Sequence, residues 1–323
     1  MEERKNVKST TGNPVSDYEQ QRSGMKTLPV VRKNIDSLLA ATGKRFIACM
    51  LGFASVAAPA LYAQIDSVAN DLAAREKAFS AESERIGTRD SFLRFFADDC
   101  IGFYPAPQRA RPFWEQHAPT QGVLTWYPTF VQVASSQDLG YSTGPWEYRM
   151  ARDSAAVAFG FFGSVWRKDS SGTWTVVLDL GGNYPRAEET PELPQYTTLH
   201  HPDDMHGGGD DHFLDAERKY ASESSRSGAA PVLKKFGAAR VRVYRDGEFP
   251  VIGKADAVRF LGAQPAPVKF ESHGSGLSKA GDLGYVYGIA IAGRSDSSSY
   301  LHVWKREDGW KLLVDILRPF MKK

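Results

Sequence analysis

The sequence has few of the residues and patterns that mark covalent, redox or nucleotide chemistry. Only two of its 323 residues are cysteines, Cys49 and Cys100. Because Cys49 lies in an apolar leader, one thiol remains in the rest of the chain, and no internal disulfide framework is expected. Phosphate-binding loops, dinucleotide fingerprints and Cys-x-x-Cys pairs are also absent. We therefore expect a protein that uses no cofactor. Covalent catalysis is also unsupported, because no histidine stands beside a candidate nucleophile.

The chain also lacks a strong excess of charge of either sign. It has 40 Lys and Arg against 38 Asp and Glu. Residues 1–63 hold nine of the basic and five of the acidic residues, which leaves 31 basic and 33 acidic residues in 64–323. The body therefore carries a slight negative charge, which argues against binding to nucleic acid or to an anionic membrane surface.

Residues 1–63 have the pattern of an export signal preceded by a polar extension. The basic pair Lys44-Arg45 precedes an apolar run over 46–63 that ends in small residues, as in secretory signal peptides. We place the cleavage site after Ala63, with Ala60 as the alternative, and predict a bacterial protein that is periplasmic or secreted. An uncleaved anchor is the other interpretation, since a span of roughly 17–25 residues crosses a bilayer. It is the only membrane contact predicted.

The rest of the chain contains two segments of similar pattern, 64–185 and 213–323. Each begins with apolar residues at helical spacing and continues with alternating runs separated by turn-forming residues. Residues 186–212 between them are rich in Pro, Gly, His and acidic residues, a composition typical of a linker. Helices followed by an antiparallel meander predict an α+β fold in both segments.

A short stretch that occurs twice makes the two segments tandem copies. Asp138 begins the pattern Asp-Leu-Gly-Tyr-x-x-Gly in the first copy, and Asp282 begins it in the second. In each copy a Trp followed by two basic residues comes next, at Trp166 and Trp304. Asp suits a hairpin turn because its side chain accepts hydrogen bonds from turn N–H groups. We interpret the stretch as a hairpin that builds the sheet.

These landmarks resemble those of the nuclear transport factor 2-like superfamily. Glu-x-x-aromatic on the first helix and Trp126-Tyr127-Pro128 add to the likeness, which is closest to the SnoaL-like branch called domain of unknown function 4440. The resemblance covers both copies. It implies two cone-shaped domains, in which N-terminal helices pack on a strongly curved, mostly antiparallel sheet around a pocket. It also implies that the two cones pair sheet to sheet within the chain, and it leaves homo-oligomerisation open.

Three residues of the first copy are candidate catalytic groups. Glu76 lies on an otherwise apolar helix face, where a carboxylate is costly to bury unless it is paired or hydrogen-bonded. Asp179 would be a second acid if its strand face is the concave one, and the Tyr141 hydroxyl could donate to an oxyanion. The alternatives are a structural carboxylate that binds a Trp N–H, and a core tyrosine. The recurrence of Glu76 as Glu217 favours structure.

Aromatic residues of the first copy predict a pocket for an apolar ligand. Trp114, Trp126, Trp146 and Tyr141 are the candidate ligand-binding residues, although such residues also build cores. In the second copy Phe270 stands where Trp126 stands, so the first copy is the better candidate for activity.

Four histidines in the linker are the only candidates for a metal site. They lie among several aspartates, and such side chains can bind a transition metal. Their spacing matches no tight site, so a solvated linker is the default and we predict no metal. The four residues are His200, His201, His206 and His212.

Two functions remain open from the sequence alone. The first is non-catalytic binding of a small apolar ligand in the first cone, with the second domain as its partner in a pseudo-dimer. The alternative is a cofactor-independent isomerase, cyclase or dehydratase that uses Glu76 and Asp179 as an acid–base pair. Members of the superfamily include both kinds of protein, so the fold does not decide whether this one is an enzyme.

Overall fold

The computed structural model describes residues 66–187, 192–200, 210–263, 267–293 and 296–320. The predicted leader and the linker residues His201 and His206 lie outside these ranges. In the described part of the chain, no helix is both long and apolar enough to cross a membrane.

The first half places three helices around an eight-stranded sheet. Its helices are α1 (Ser67–Ile86), α2 (Thr88–Phe95) and α3 (Ala110–Gln116). Its strands are β1 (Phe96–Phe103), β2 (Pro107–Arg109), β3 (Val123–Trp126), β4 (Phe130–Val133), β5 (Leu139–Arg149), β6 (Ala156–Lys168), β7 (Trp174–Asn183) and β8 (Gln195–Thr198). The strand order is β2-β1-β7-β6-β5-β4-β8, with β3 paired to β5.

The second half repeats this arrangement with one sheet of six strands. Its helices are α4 (Asp210–Ser227), α5 (Ala229–Phe236) and α6 (Lys254–Gly262). Its strands are β9 (Gly237–Arg245), β10 (Val251–Ile252), β11 (Val268–Leu277), β12 (Leu283–Ala292), β13 (Asp296–Glu307) and β14 (Gly309–Pro319). The order β10-β9-β14-β13-β12-β11 matches the order β2-β1-β7-β6-β5-β4 of the first sheet, in which β3 also pairs with β5 and β8 adds a further edge strand. Helices packed on curved sheets confirm the predicted α+β class.

Two details differ from the sequence interpretation. The alternating pattern over 123–133 predicts one strand, but the structure divides it into β3 and β4, and Gly144 explains the break. A side chain at Gly144 would lie 2.0 Å from the Tyr127 carbonyl oxygen, so the connection between the strands crosses directly over this glycine. The linker also differs, because residues 195–198 form β8 and pair in parallel with β4.

Each half has its own core between helices and sheet, and a third core lies between the two sheets. In the first half α1 packs Leu72 and Phe79 onto the sheet, both essentially inaccessible. The third cluster joins the first sheet, for example Leu178, to residues of the second sheet such as Val314 and Ile316. Burial of each large aliphatic side chain contributes about 1.5–3 kcal/mol, so the contact between the sheets is a major part of the fold.

Candidate functional site

Glu76 is a fully buried carboxylate that holds α1 to the sheet. Trp126 Nε1 donates to its Oε1 at 2.6 Å, and Trp166 Nε1 donates to its Oε2 at 2.9 Å. Ser142 Oγ also donates to Oε2. Burial raises the pKa of Glu76 to about 7, although these hydrogen bonds oppose the rise, and the nearby charge of Asp179 adds to it. Both oxygens are therefore occupied by protein donors.

The donor Ser142 lies in a Gly-x-Ser-x-Gly sequence, residues 140–144. In hydrolases this pattern forms a strained turn between a strand and a helix, which exposes the serine. Here it lies inside β5, and Ser142 is fully buried between Glu76 and Trp166. The pattern therefore serves packing, because its glycines admit the Leu72 side chain at Gly140 and the Tyr127 carbonyl at Gly144.

An inner cavity of about 100 Å³ lies inside the first cone. Two polar side chains line it, Ser164 and Asp179, which face each other on β6 and β7. Ser164 Oγ donates to Asp179 Oδ1 at 2.9 Å. The apolar part of the wall consists of Phe79, Phe92, Leu124, Trp126, Trp146 and Phe162. Glu76 does not line this cavity.

The charge of Asp179 is perturbed by its surroundings. Burial raises the pKa of Asp179 to about 6, while the Ser164 hydrogen bond and the positive charge of Arg318 oppose the rise. The folded protein therefore binds a proton at mildly acidic pH that the unfolded chain has already lost. For this reason Asp179 makes the fold less stable as the pH rises towards and through 6.

This linkage gives a measurable pH dependence. We expect Asp179→Asn to match the wild type near pH 4 and to exceed its stability by up to about 3 kcal/mol at pH 7.5. The asparagine oxygen can still accept from Ser164, so mainly the charge is removed. Urea unfolding of both proteins between these pH values measures the difference. A difference that stays constant with pH would contradict the assignment.

An outer cavity of about 270 Å³ shares Trp126 and Trp146 with the inner one. Tyr127, Phe159 and Tyr184 complete its aromatic wall. The two tryptophans predicted to bind a ligand thus border both cavities, because Trp126 pairs with Trp146 across β3 and β5.

Two of the predicted ligand-binding residues lie elsewhere. The expectation that Tyr141 faces the pocket is wrong, because it points into the core between the two sheets, only 1% exposed. Its neighbour Ser142 takes the inner face, as strand alternation requires. Trp114 on α3 stacks on Phe92 with ring centroids 4.8 Å apart and lies outside both cavity walls.

The second cone contains a buried charged network that the sequence did not indicate. Glu217 accepts hydrogen bonds from Trp304 Nε1 at 2.7 Å and from His302 Nδ1 at 3.0 Å. His302 Nε2 lies 3.9 Å from Asp315 Oδ1, and Asp315 forms two hydrogen bonds with Arg245 at 3.0 and 3.1 Å. Burial opposes ionisation of Asp315, but the charges of Arg245 and His302 outweigh it and lower its pKa. The register of the β13–β14 hairpin could have suggested the contact between His302 and Asp315, since these two residues are directly paired.

The repeated turns contact each other. The backbone N–H of Lys279 donates to the Asp138 carboxylate at 3.3 Å, and that of Ser135 donates to Asp282 Oδ2 at 2.9 Å. Each donor stands three residues before the aspartate of its own copy. The contacts are therefore reciprocal, and the motif has a role beyond its own hairpin.

The linker histidines form no metal site in the described residues. No group of three or more His, Cys, Asp or Glu side chains converges there. His200 and His212 are exposed, and His201 and His206 lie outside the described ranges.

Comparison with known proteins gives structural neighbours only. No family model matches the sequence, and no curated protein matches it. A nuclear transport factor 2-like protein from Cytophaga hutchinsonii is 15% identical, and the match covers 35% of this chain and 100% of that one, with a TM-score of 0.30. Nuclear transport factor 2 from Cryptosporidium parvum is 13% identical over 34% of this chain and 94% of its own, with a TM-score of 0.29.

A third neighbour is a provisionally assigned SnoaL-like polyketide cyclase from Jannaschia. It is 12% identical over 34% of this chain and 85% of its own, with a TM-score of 0.28. The named structural neighbours thus include nuclear transport factor 2-like and SnoaL-like proteins, and each match covers about a third of this chain.

Proposed function

We propose that this chain is a binding protein that takes a small, largely apolar ligand in its first cone. The inner cavity is the observation that carries the proposal. Its wall is mostly aromatic, and it has two polar side chains, Ser164 and Asp179, which suits a site that buries an apolar body and orients it by few hydrogen bonds. The outer cavity beside Trp126 and Trp146 offers room for a larger ligand.

The contacts of Glu76 argue against the enzymatic alternative. A general acid or base must reach the substrate. Glu76 is fully buried, borders no part of the inner cavity, and accepts hydrogen bonds from three protein donors. Asp179 alone would remain as a proton-transfer group, so the proposed acid–base pair lacks one member.

We further propose that the chain is a tandem of the type called domain of unknown function 4440, with domains at 64–185 and 213–323. The matching strand order of the two sheets and the repeated motif support this division. The shared core and the reciprocal turn contacts support a pseudo-dimer within one chain. The basic and apolar pattern before residue 64 is the ground for proposing export to the periplasm or medium.

A fluorescence titration tests ligand binding in the first cone. Benzyl alcohol serves as a small, mostly apolar probe, and tryptophan emission reports its arrival because Trp126 and Trp146 line the cavity. We expect Leu124→Phe, which fills the cavity, to weaken binding by about tenfold or more, or about 1.4 kcal/mol. Leu193→Phe is the matched control, since Leu193 is 82% exposed. Equal binding by both variants would place the probe outside the cavity and refute the proposal.

A further inference from the structure

The two cones treat the same acidic position differently. In the first cone Asp179 on β7 pairs with Gly102 on β1. In the second cone Asp315 on β14 pairs with Val243 on β9. Two residues after Val243 in the chain is Arg245, and two residues after Gly102 is Tyr104. Arg245 therefore occupies the position in the second cone that Tyr104 occupies in the first.

The second cone neutralises its acid with its own side chains. Arg245 forms a bidentate ion pair with Asp315, at 3.0 and 3.1 Å. His302 lies opposite Asp315 on the adjacent strand and fills the interior beside it. A buried carboxylate is stable when it has such a partner, because the attraction offsets the loss of hydration.

The first cone lacks both partners and has a cavity instead. Tyr104 carries no charge at neutral pH, and its hydroxyl accepts a hydrogen bond from Trp114 Nε1 at 2.7 Å. Ser164 stands opposite Asp179 where His302 stands in the second cone, and it is smaller. Across the described residues Asp179 forms no ion pair, and its only hydrogen-bond donor is Ser164.

We infer that the inner cavity binds a small organic ammonium ion, whose positive charge replaces that of Arg245 and lies against Asp179. The inference rests on the proposed ligand-binding function and names the class of ligand. Three kinds of contact favour such an ion. The carboxylate supplies the opposite charge, the aromatic rings of Trp126, Trp146 and Phe162 offer cation–π contacts, and the apolar wall accepts the carbon substituents.

A metal ion fits this cavity poorly. Calcium takes about six to eight oxygen ligands, and magnesium demands about six in octahedral geometry. Only Ser164 and Asp179 bring side-chain oxygens to the described wall, and the rest of it is mainly aromatic. An ammonium ion needs a single carboxylate and gains from the same rings that cannot ligate a metal.

Several charged or titratable groups on the surrounding elements lie within electrostatic reach of Asp179. They are Glu76 from α1, Cys100 and Tyr104 from β1 and its end, and Arg318 from β14. Arg318 is the one cation among them, and its Nη1 donates to the Phe103 carbonyl oxygen at 3.2 Å. The pKa of about 6 leaves Asp179 ionised at neutral pH, and Arg318 forms no ion pair with it among the described residues. Binding of a permanently charged ion is expected to weaken as the pH falls through about 6, where Asp179 gains its proton.

Titration of the full chain with matched probes tests the inference. Benzylamine and benzyl alcohol have similar shape and differ in charge at pH 7.5, and tetramethylammonium is a smaller ion that is charged at every pH. We expect benzylamine to bind about tenfold or more tightly than benzyl alcohol, as one charged contact of about 1.4 kcal/mol would give. Asp179→Asn should abolish this preference and leave the binding of benzyl alcohol in place.

A second variant follows from the comparison of the cones. Tyr104→Arg introduces the guanidinium that the second cone has, and it should prevent tetramethylammonium binding while benzyl alcohol still binds. If benzyl alcohol binds as tightly as benzylamine, or if Asp179→Asn keeps the preference, the ammonium assignment is overturned and the apolar site remains. If neither probe binds, the proposed function fails and the ammonium assignment fails with it.

Discussion

Replacing Glu76 with alanine is expected to lower the free energy of unfolding by about 3–5 kcal/mol, because one side chain satisfies three buried donors. The change leaves Trp126 Nε1, Trp166 Nε1 and Ser142 Oγ without their shared acceptor. It also leaves a void between α1 and the sheet. Urea unfolding followed by tryptophan fluorescence measures the loss.

Glu84 provides the matched control on the same helix. Its side chain is 44% exposed and its contact with Arg149 is long, at 4.0 Å. We expect Glu84→Ala to change stability by less than about 0.5 kcal/mol, as is usual for exposed positions. If Glu76→Ala were equally mild and instead removed ligand binding, Glu76 would belong to the ligand site and the structural role would be wrong.

Replacing Glu192 with alanine should also lower the free energy of unfolding by about 3–5 kcal/mol, because it leaves a buried guanidinium without its carboxylate partner. The Arg242 side chain is fully buried and donates to both oxygens of Glu192 at 2.8 and 2.7 Å. Its guanidinium also stacks on Phe130, 3.8 Å from the ring centroid. The pair therefore joins the linker and β4 of the first half to β9 of the second. Thermal or urea unfolding shows whether its loss destabilises the whole chain.

Two further variants test whether the unpaired charge of Arg242 causes the loss of stability. Removing both partners, as Glu192→Gln with Arg242→Met, should recover much of the lost stability because no unpaired charge remains. Glu271→Ala breaks an exposed pair with Lys269 and should cost no more than about 1 kcal/mol. A double variant as unstable as Glu192→Ala would mean that the unpaired charge of Arg242 does not cause the loss of stability.

Local patterns in the sequence predicted much of the fold. The spacing of Leu72 and Phe79 predicted α1, and both residues are buried on it as expected. Turn-forming residues marked the hairpins, and the repeated motif indicated two segments of similar pattern. These features depend on neighbours in the chain, which is why a single sequence reveals them.

The candidate site was harder to predict because strand alternation defines two faces but not which one is concave. Alternation is equally consistent with Tyr141 in the pocket or in the core, and in the structure Tyr141 lies in the core between the sheets while Ser142 takes the inner face. The partners of buried charges were not visible either. Arg242 and Glu192 are 50 residues apart and Arg245 and Asp315 are 70 apart, so only the folded chain brings them together.

The reciprocal contacts between the repeated turns limit how the two halves of the chain can diverge in evolution. Asp138 and Asp282 each bind a backbone N–H of the other copy, so a change in either turn disturbs a contact that its own half does not contain. The interiors of the cones carry no such mutual constraint. The second half can therefore surround its acid with Arg245 and His302, and the first half can have Ser164 and a cavity beside Asp179, without any change at the turns that join them.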